Sequence, residues 1–195
     1  MKKFLFILCF GFASCALFAQ RQHVNHLRVG LKLGVPNIIT PNIEYVTHIW
    51  EDRVAFTADF MSLDLTIDDV NVDYTDFEIG ANLYLSKDGS GAYVGVSYFN
   101  FDGGGTYDNV EFDNGTVGRG TGEISYNTFN FKVGYKTGRR LYVRAEFGYG
   151  FGNIPEQITV SGSDGSSAIE DIPDIPGISS SGLIIFNIGI GYAFL

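Results

Sequence analysis

The chain has 195 residues, with 13 Lys and Arg against 22 Asp and Glu, and its formal charge of −9 speaks against nucleic acid as a partner. Apolar residues make up 45% and charged residues 18%, with 25 Gly and 5 Pro, which excludes both acidic disorder and collagen. One folded domain is the natural count, and no apolar run after the first twenty residues reaches the ~18 to 20 of a transmembrane helix, so any membrane must be crossed by strands.

Met1 to Gln20 has a basic start, an apolar stretch and a small residue before a polar one. This predicts a Sec signal peptide over residues 1–19, cleaved after Ala19, and a folded domain over residues 20–195. The rival is a lipoprotein signal with acylation at Cys15. Phe12 in place of the usual Leu, and the better-formed Ala19-Gln20 boundary, favour the first. Cys9 and Cys15 are the only cysteines, so the mature chain is expected to be thiol-free, without disulfides, zinc-thiolate sites or cysteine nucleophiles. Losing Lys2 and Lys3 takes its net charge to −11.

Beyond residue 26 the hydrophobic pattern has period two, the signature of strands. The predicted strands are His26–Val35, Asn42–Ile49, Arg53–Leu63, Val72–Leu85, Ala92–Phe101, Glu123–Lys136, Leu141–Asn153 and Gly182–Leu195. Of the seven connections, the second, fourth and sixth are tight, the third is medium, and the fifth (Asp102–Gly122) and seventh (Ile154–Ser181) are long. This parity predicts an all-β fold, an eight-stranded antiparallel up-and-down transmembrane β-barrel with short turns and both termini at one end and long loops at the other.

Along each strand one parity is apolar and uncharged, as in Leu31, Phe56, Phe60, Val96, Phe131, Phe147 and Ile188. The other is charged, hydroxylic or Gly. Such a barrel can stand in water with the apolar face inside or in a bilayer with it outside. Three features choose the bilayer. The polar face is studded with Gly, which suits a crowded interior. Trp50, Tyr135, Tyr192 and Phe194 gather at the short-turn end, with Phe60, Phe77, Phe129 and Phe151 towards the long loops, as two aromatic girdles would. The last strand, F-N-I-G-I-G-Y-A-F-L, resembles the terminal strand of bacterial outer-membrane proteins, although Leu195 replaces the usual final aromatic.

On these features the chain resembles the small eight-stranded outer-membrane β-barrel family of Gram-negative bacteria, the group that includes the transmembrane domain of outer-membrane protein A. The F-A-Q boundary and the Gly and Tyr usage are similar to Bacteroidetes-type barrel proteins. The resemblance implies outer-membrane localisation but no activity.

Catalytic chemistry finds little support. His23, His26 and His48 all fall at the short-turn end, where His48 is expected to be an interior polar filler. No H-E-x-x-H, nucleophile elbow or phosphate loop is present, and Gly103–Gly105 reads as flexible turn material. The acidic residues of the outer loops lack Ca²⁺-loop spacing and read as solvated charge. The repeated D-I-P at Asp171–Pro173 and Asp174–Pro176 reads as an extended, mobile segment. No enzyme activity, cofactor or metal is expected.

By parity, strands two to four line the lumen with Glu44, Asp59, Asp76 and Glu78. Strands six, seven and one face them with Lys132, Lys136, Arg144, Arg28 and Lys32, and Glu146 alone breaks the division. Charges withdrawn from water must pair, so an ion-pair network that plugs the lumen is expected. The expected role is non-enzymatic, structural or surface-interacting. The partners are outer-membrane lipid and lipopolysaccharide, with a surface partner reached through the long loops. The alternatives are a narrow pore for small solutes and a soluble lipocalin-like binder.

Overall fold

Strict alternation gives a sheet two unlike faces, and a sheet of this kind removes its exposed edges by closing on itself. The computed structural model describes residues 24–36, 39–67, 70–162, 164–172 and 177–194. The expected signal-peptide boundary after Ala19, Cys15, His23 and Leu195 lie outside them. Its strands are β1 (Leu27–Val35), β2 (Ile39–Val46), β3 (Val54–Ile67), β4 (Val70–Tyr84), β5 (Gly91–Glu111), β6 (Val117–Gly138), β7 (Leu141–Phe151), β8 (Gln157–Gly162), β9 (Ser167–Asp171), β10 (Ile178–Ser179) and β11 (Gly182–Phe194). β1 to β7 pair in order, and β11 pairs antiparallel with β7 on one side and β1 on the other. The wall is thus a closed eight-stranded antiparallel barrel, and no helix occurs among the described residues.

The β2–β3, β4–β5 and β6–β7 connections lie at the end that holds the start of β1 and the end of β11; at the opposite end the third connection, expected to be medium, shortens to residues 68–69 because β3 runs on to Ile67 and β4 starts at Val70. The β2–β3 turn is closed by the Thr47 amide donating to the Val54 carbonyl at 2.8 Å, and carries Trp50, Glu51 and Asp52 at φ 50, 59 and 64. The β6–β7 turn uses Gly138 at φ 105, where a Cβ would stand 2.1 Å from the Leu141 carbonyl oxygen.

Several predicted elements are corrected. The second strand is Ile39–Val46 instead of Asn42–Ile49. Pro41 is accommodated within it because it pairs only with Leu31 of β1, the ladder to β3 beginning at Asn42, so no neighbour needs its missing N–H. Gly103–Gly105 is ladder, not flexible turn: the three glycines sit in β5, between Tyr74, Asp73 and Val72 of β4 and Ile124, Glu123 and Gly122 of β6. The long fifth connection shrinks to Phe112–Thr116, because paired backbones satisfy each other's amides whatever the turn-like composition suggests. The seventh connection is also partly structured, its β8–β9 hairpin adding to the projecting end of β6 at Gly120–Gly122. Within the repeated D-I-P, Asp171 ends β9 and the Ile172 amide donates to Glu156 at 2.8 Å, while residues 173–176 lie outside the described residues.

The two faces separate cleanly. Phe131, Phe147 and Ile188 are about half exposed on the outside of the wall. Among the described residues, ten charged side chains are buried inside: Arg28, Lys32, Glu44, Asp59, Asp76, Glu78, Lys132, Lys136, Arg144 and Glu146, none more than 5% exposed.

Candidate functional site

The interior is layered along the barrel axis. Nearest the short turns, Glu44 gathers three cations: Arg28 at 2.8 Å, Arg144 at 3.3 Å, and Lys136. The Tyr84 hydroxyl donates to its second oxygen at 2.9 Å, and the Lys136 ammonium lies 4.5 Å from the centre of the Tyr84 ring. Arg28 also donates to the carbonyls of Asp88, at 3.0 Å, and Gly89, which fastens the β4–β5 turn to the lumen.

One layer higher, Lys32 pairs with Asp59 and lies 3.5 Å from Glu78 and 3.6 Å from Glu146. Lys132 reaches Glu78 at 2.5 Å, and Ser97 and Asn130 donate to the same carboxylate. Glu146 joins the layers, since it also lies 3.4 Å from Arg144 and accepts the Tyr93 hydroxyl at 2.7 Å. Each carboxylate here thus has a cation and at least one neutral donor, the condition under which a buried ionic network is stable.

Asp76 stands higher still. With Asp73, Tyr74, Phe99 and Phe101 it lines a cavity of about 290 Å³ towards the long-loop end. Beside it the interior turns apolar: Phe99, Tyr126, Ile154, Leu183 and Ile185 form a buried cluster towards the long-loop end. Val46, Ala55, Tyr84 and Tyr93 form its counterpart at the short-turn end.

The inward tyrosines are the part that sequence reasoning missed. Tyr84 and Tyr93 lie on the polar parity of their strands, and Tyr93 pairs directly with Gly134 of β6. A Cβ at Gly134 would meet the Tyr93 ring at 2.4 Å. The same holds for Gly191, paired with Tyr142 of β7 and 2.3 Å from its hydroxyl. Gly134 and Gly191 therefore make room for aromatic rings, of which Tyr93 carries its hydroxyl to Glu146, and the cross-strand Gly–Tyr pair is the signal that could have found them.

His48 is not the interior filler expected. β2 ends at Val46, so His48 leaves the alternation and stands exposed at the rim, stacked on His26 with ring centroids 4.4 Å apart. A lipocalin-like interior is also excluded, since the charged face is the one turned inward. Outside the barrel wall, the Arg119 guanidinium lies 2.8 Å from Asp108 and holds its carboxyl below the usual carboxylate range. The Ser166 hydroxyl and amide do the same for Asp164.

No protein-family model matches the chain, and no curated protein does. Among solved structures, the crystal structure of Acinetobacter baumannii CarO is similar, with 12% identity and a TM-score of 0.49 over 90% of this chain and 100% of that one.

Proposed function

We propose that this chain is an outer-membrane barrel whose lumen is closed by its own side chains, with a non-enzymatic, structural or surface-interacting role. The observation that carries this reading is the inversion of a water-soluble protein: a barrel wall apolar outside, with ten buried charges inside. Such an outer face is stable in hydrocarbon and a liability in water. Trp50, Tyr135, Tyr192 and Phe194 at one end, and Phe60, Phe129 and Phe151 at the other, are exposed on that face, as membrane interfaces favour. Outer-membrane lipid is then the partner of the wall. Lipopolysaccharide or a neighbouring surface meets the acidic hairpins β5–β6 and β8–β9, and the short turns face the periplasm.

Two measurements test this. Phe131→Arg should cost about 2 to 4 kcal/mol of folding stability in lipid vesicles, because it puts a charge on the lipid face. If that variant folds as well as wild type and stays soluble without detergent, the membrane assignment is wrong. In a planar bilayer the wild-type barrel should conduct little or nothing, and a large steady conductance would make it a narrow pore for small solutes.

A further inference from the structure

Three metal-type donors meet at the short-turn rim, outside the lumen. His26, just before β1, and His48, just after β2, stack with 22° between their ring planes. Asp52 joins them from the β2–β3 turn, and one ligand atom from each of the three lies within 4.8 Å of the others.

Two details set this group apart from an incidental surface cluster. The His26 Nδ1 lies 2.7 Å from the Val46 carbonyl oxygen. Only an Nδ1–H can make that bond, so the lone pair of the neutral ring sits on Nε2. A carbonyl that fixes the tautomer and the ring plane in this way is the usual support of a metal-ligating histidine. Secondly, Asp52 Oδ1 is shut off from solvent without a hydrogen-bond partner, an unfavourable state for a carboxylate oxygen unless a cation meets it. Asp52 is brought there by three successive left-handed residues, Trp50, Glu51 and Asp52, none of them glycine. Strain of this kind persists only where the surroundings enforce it. Glu51 in the same turn is drawn off to Lys87 at 2.6 Å.

We infer that His26, His48 and Asp52 form a binding site for a divalent first-row transition ion. Zn²⁺ suits two imidazoles and one carboxylate, with the fourth position left to water. Binding draws the donors together to the ~3.3 Å separation that Zn–N bonds of about 2.0 to 2.1 Å impose in a tetrahedron. His48, exposed and outside the ladder, is free to make that movement.

The test uses the untagged chain from residue 20, which lacks the Cys9 and Cys15 thiols, folded in detergent micelles. Co²⁺ is the spectroscopic probe, Zn²⁺ is the competitor and in calorimetry the titrant, and the gel shift on heating reports folding. Wild type should bind one equivalent. His48→Ala and Asp52→Asn each remove a direct ligand and should each weaken binding by more than the about tenfold that loss of a group merely supporting a ligand costs, while the folded band is retained. His48→Gln serves as a second variant should the alanine protein fail to fold. Absence of one-equivalent binding in wild type overturns the proposal, and so does binding that survives both the His48 and the Asp52 substitutions. Because the readout is metal binding, it is independent of whether the barrel conducts.

Discussion

The charged layers of the lumen and its mouth at the long-loop end are filled by opposite chemistry. Around Glu44, every group comes from a barrel strand, and the space is filled by three cations, a carboxylate and a tyrosine hydroxyl. At the long-loop mouth the filling is apolar, and part of it, Ile154, comes from the connection between β7 and β8. A network of charges needs donors fixed to within tenths of an ångström, which paired strands provide. An apolar cluster is non-directional and tolerates a contribution from irregular chain.

The sharpest test of this contrast is Glu44→Ala. It strips three buried cations of their common partner, and the expected loss is about 3 to 5 kcal/mol in urea unfolding from vesicles. A loss below 1 kcal/mol would mean that water hydrates this layer. Ile154→Ala at the mouth should cost about 2 to 3 kcal/mol and leave the bilayer non-conducting, since the charged layers remain. Channel activity on this change alone would make the apolar cluster the true barrier. Gly134→Ala pushes a methyl into the Tyr93 ring and should cost about 1 to 3 kcal/mol by overpacking. Adding Tyr93→Phe, which keeps the ring and removes the bond to Glu146, should not relieve it, whereas Tyr93→Ala should.

The smallest effect belongs to Asp108 and Arg119, an exposed pair on the projecting hairpin. Because Arg119 lowers the Asp108 value, the pair contributes only while the carboxylate is ionised. The contribution is present above the ordinary value of 3.8 and lost as the pH falls through the lowered one. Asp108→Asn should leave barrel unfolding unchanged and alter only amide exchange in the hairpin at neutral pH. A change in the global transition would show that the hairpin and barrel unfold as one unit.

The inside and outside of the wall were legible because a single-residue period admits no compromise: a slip at Lys132 would have sent Phe131 inward with it. The strand ends beyond the wall were not. Asp102 to Gly122 carries Gly, Asp and Asn in the proportions of a turn, and only the register with β4 and β6 makes it ladder. The inward tyrosines were obscured for a different reason. An amphipathic ring reads as apolar in a pattern of hydropathy, while in the lumen Tyr93 acts through its hydroxyl. His48 escaped because its placement depends on where β2 stops, which is set by the Thr47–Val54 bond.

The projecting part of β5 and β6 is continuous ladder from the wall to Glu111 and Val117, with one irregularity between Tyr107 and Val110. Fixing a residue's backbone costs about 1 to 2 kcal/mol of conformational entropy, and in this hairpin that loss is incurred when the barrel folds. A molecule that docks there meets a preorganised surface and loses only its own freedom, so a small contact area suffices for measurable affinity. The hairpin then acts less as a flexible tether than as a rigid mast that holds its tip at a set height above the barrel.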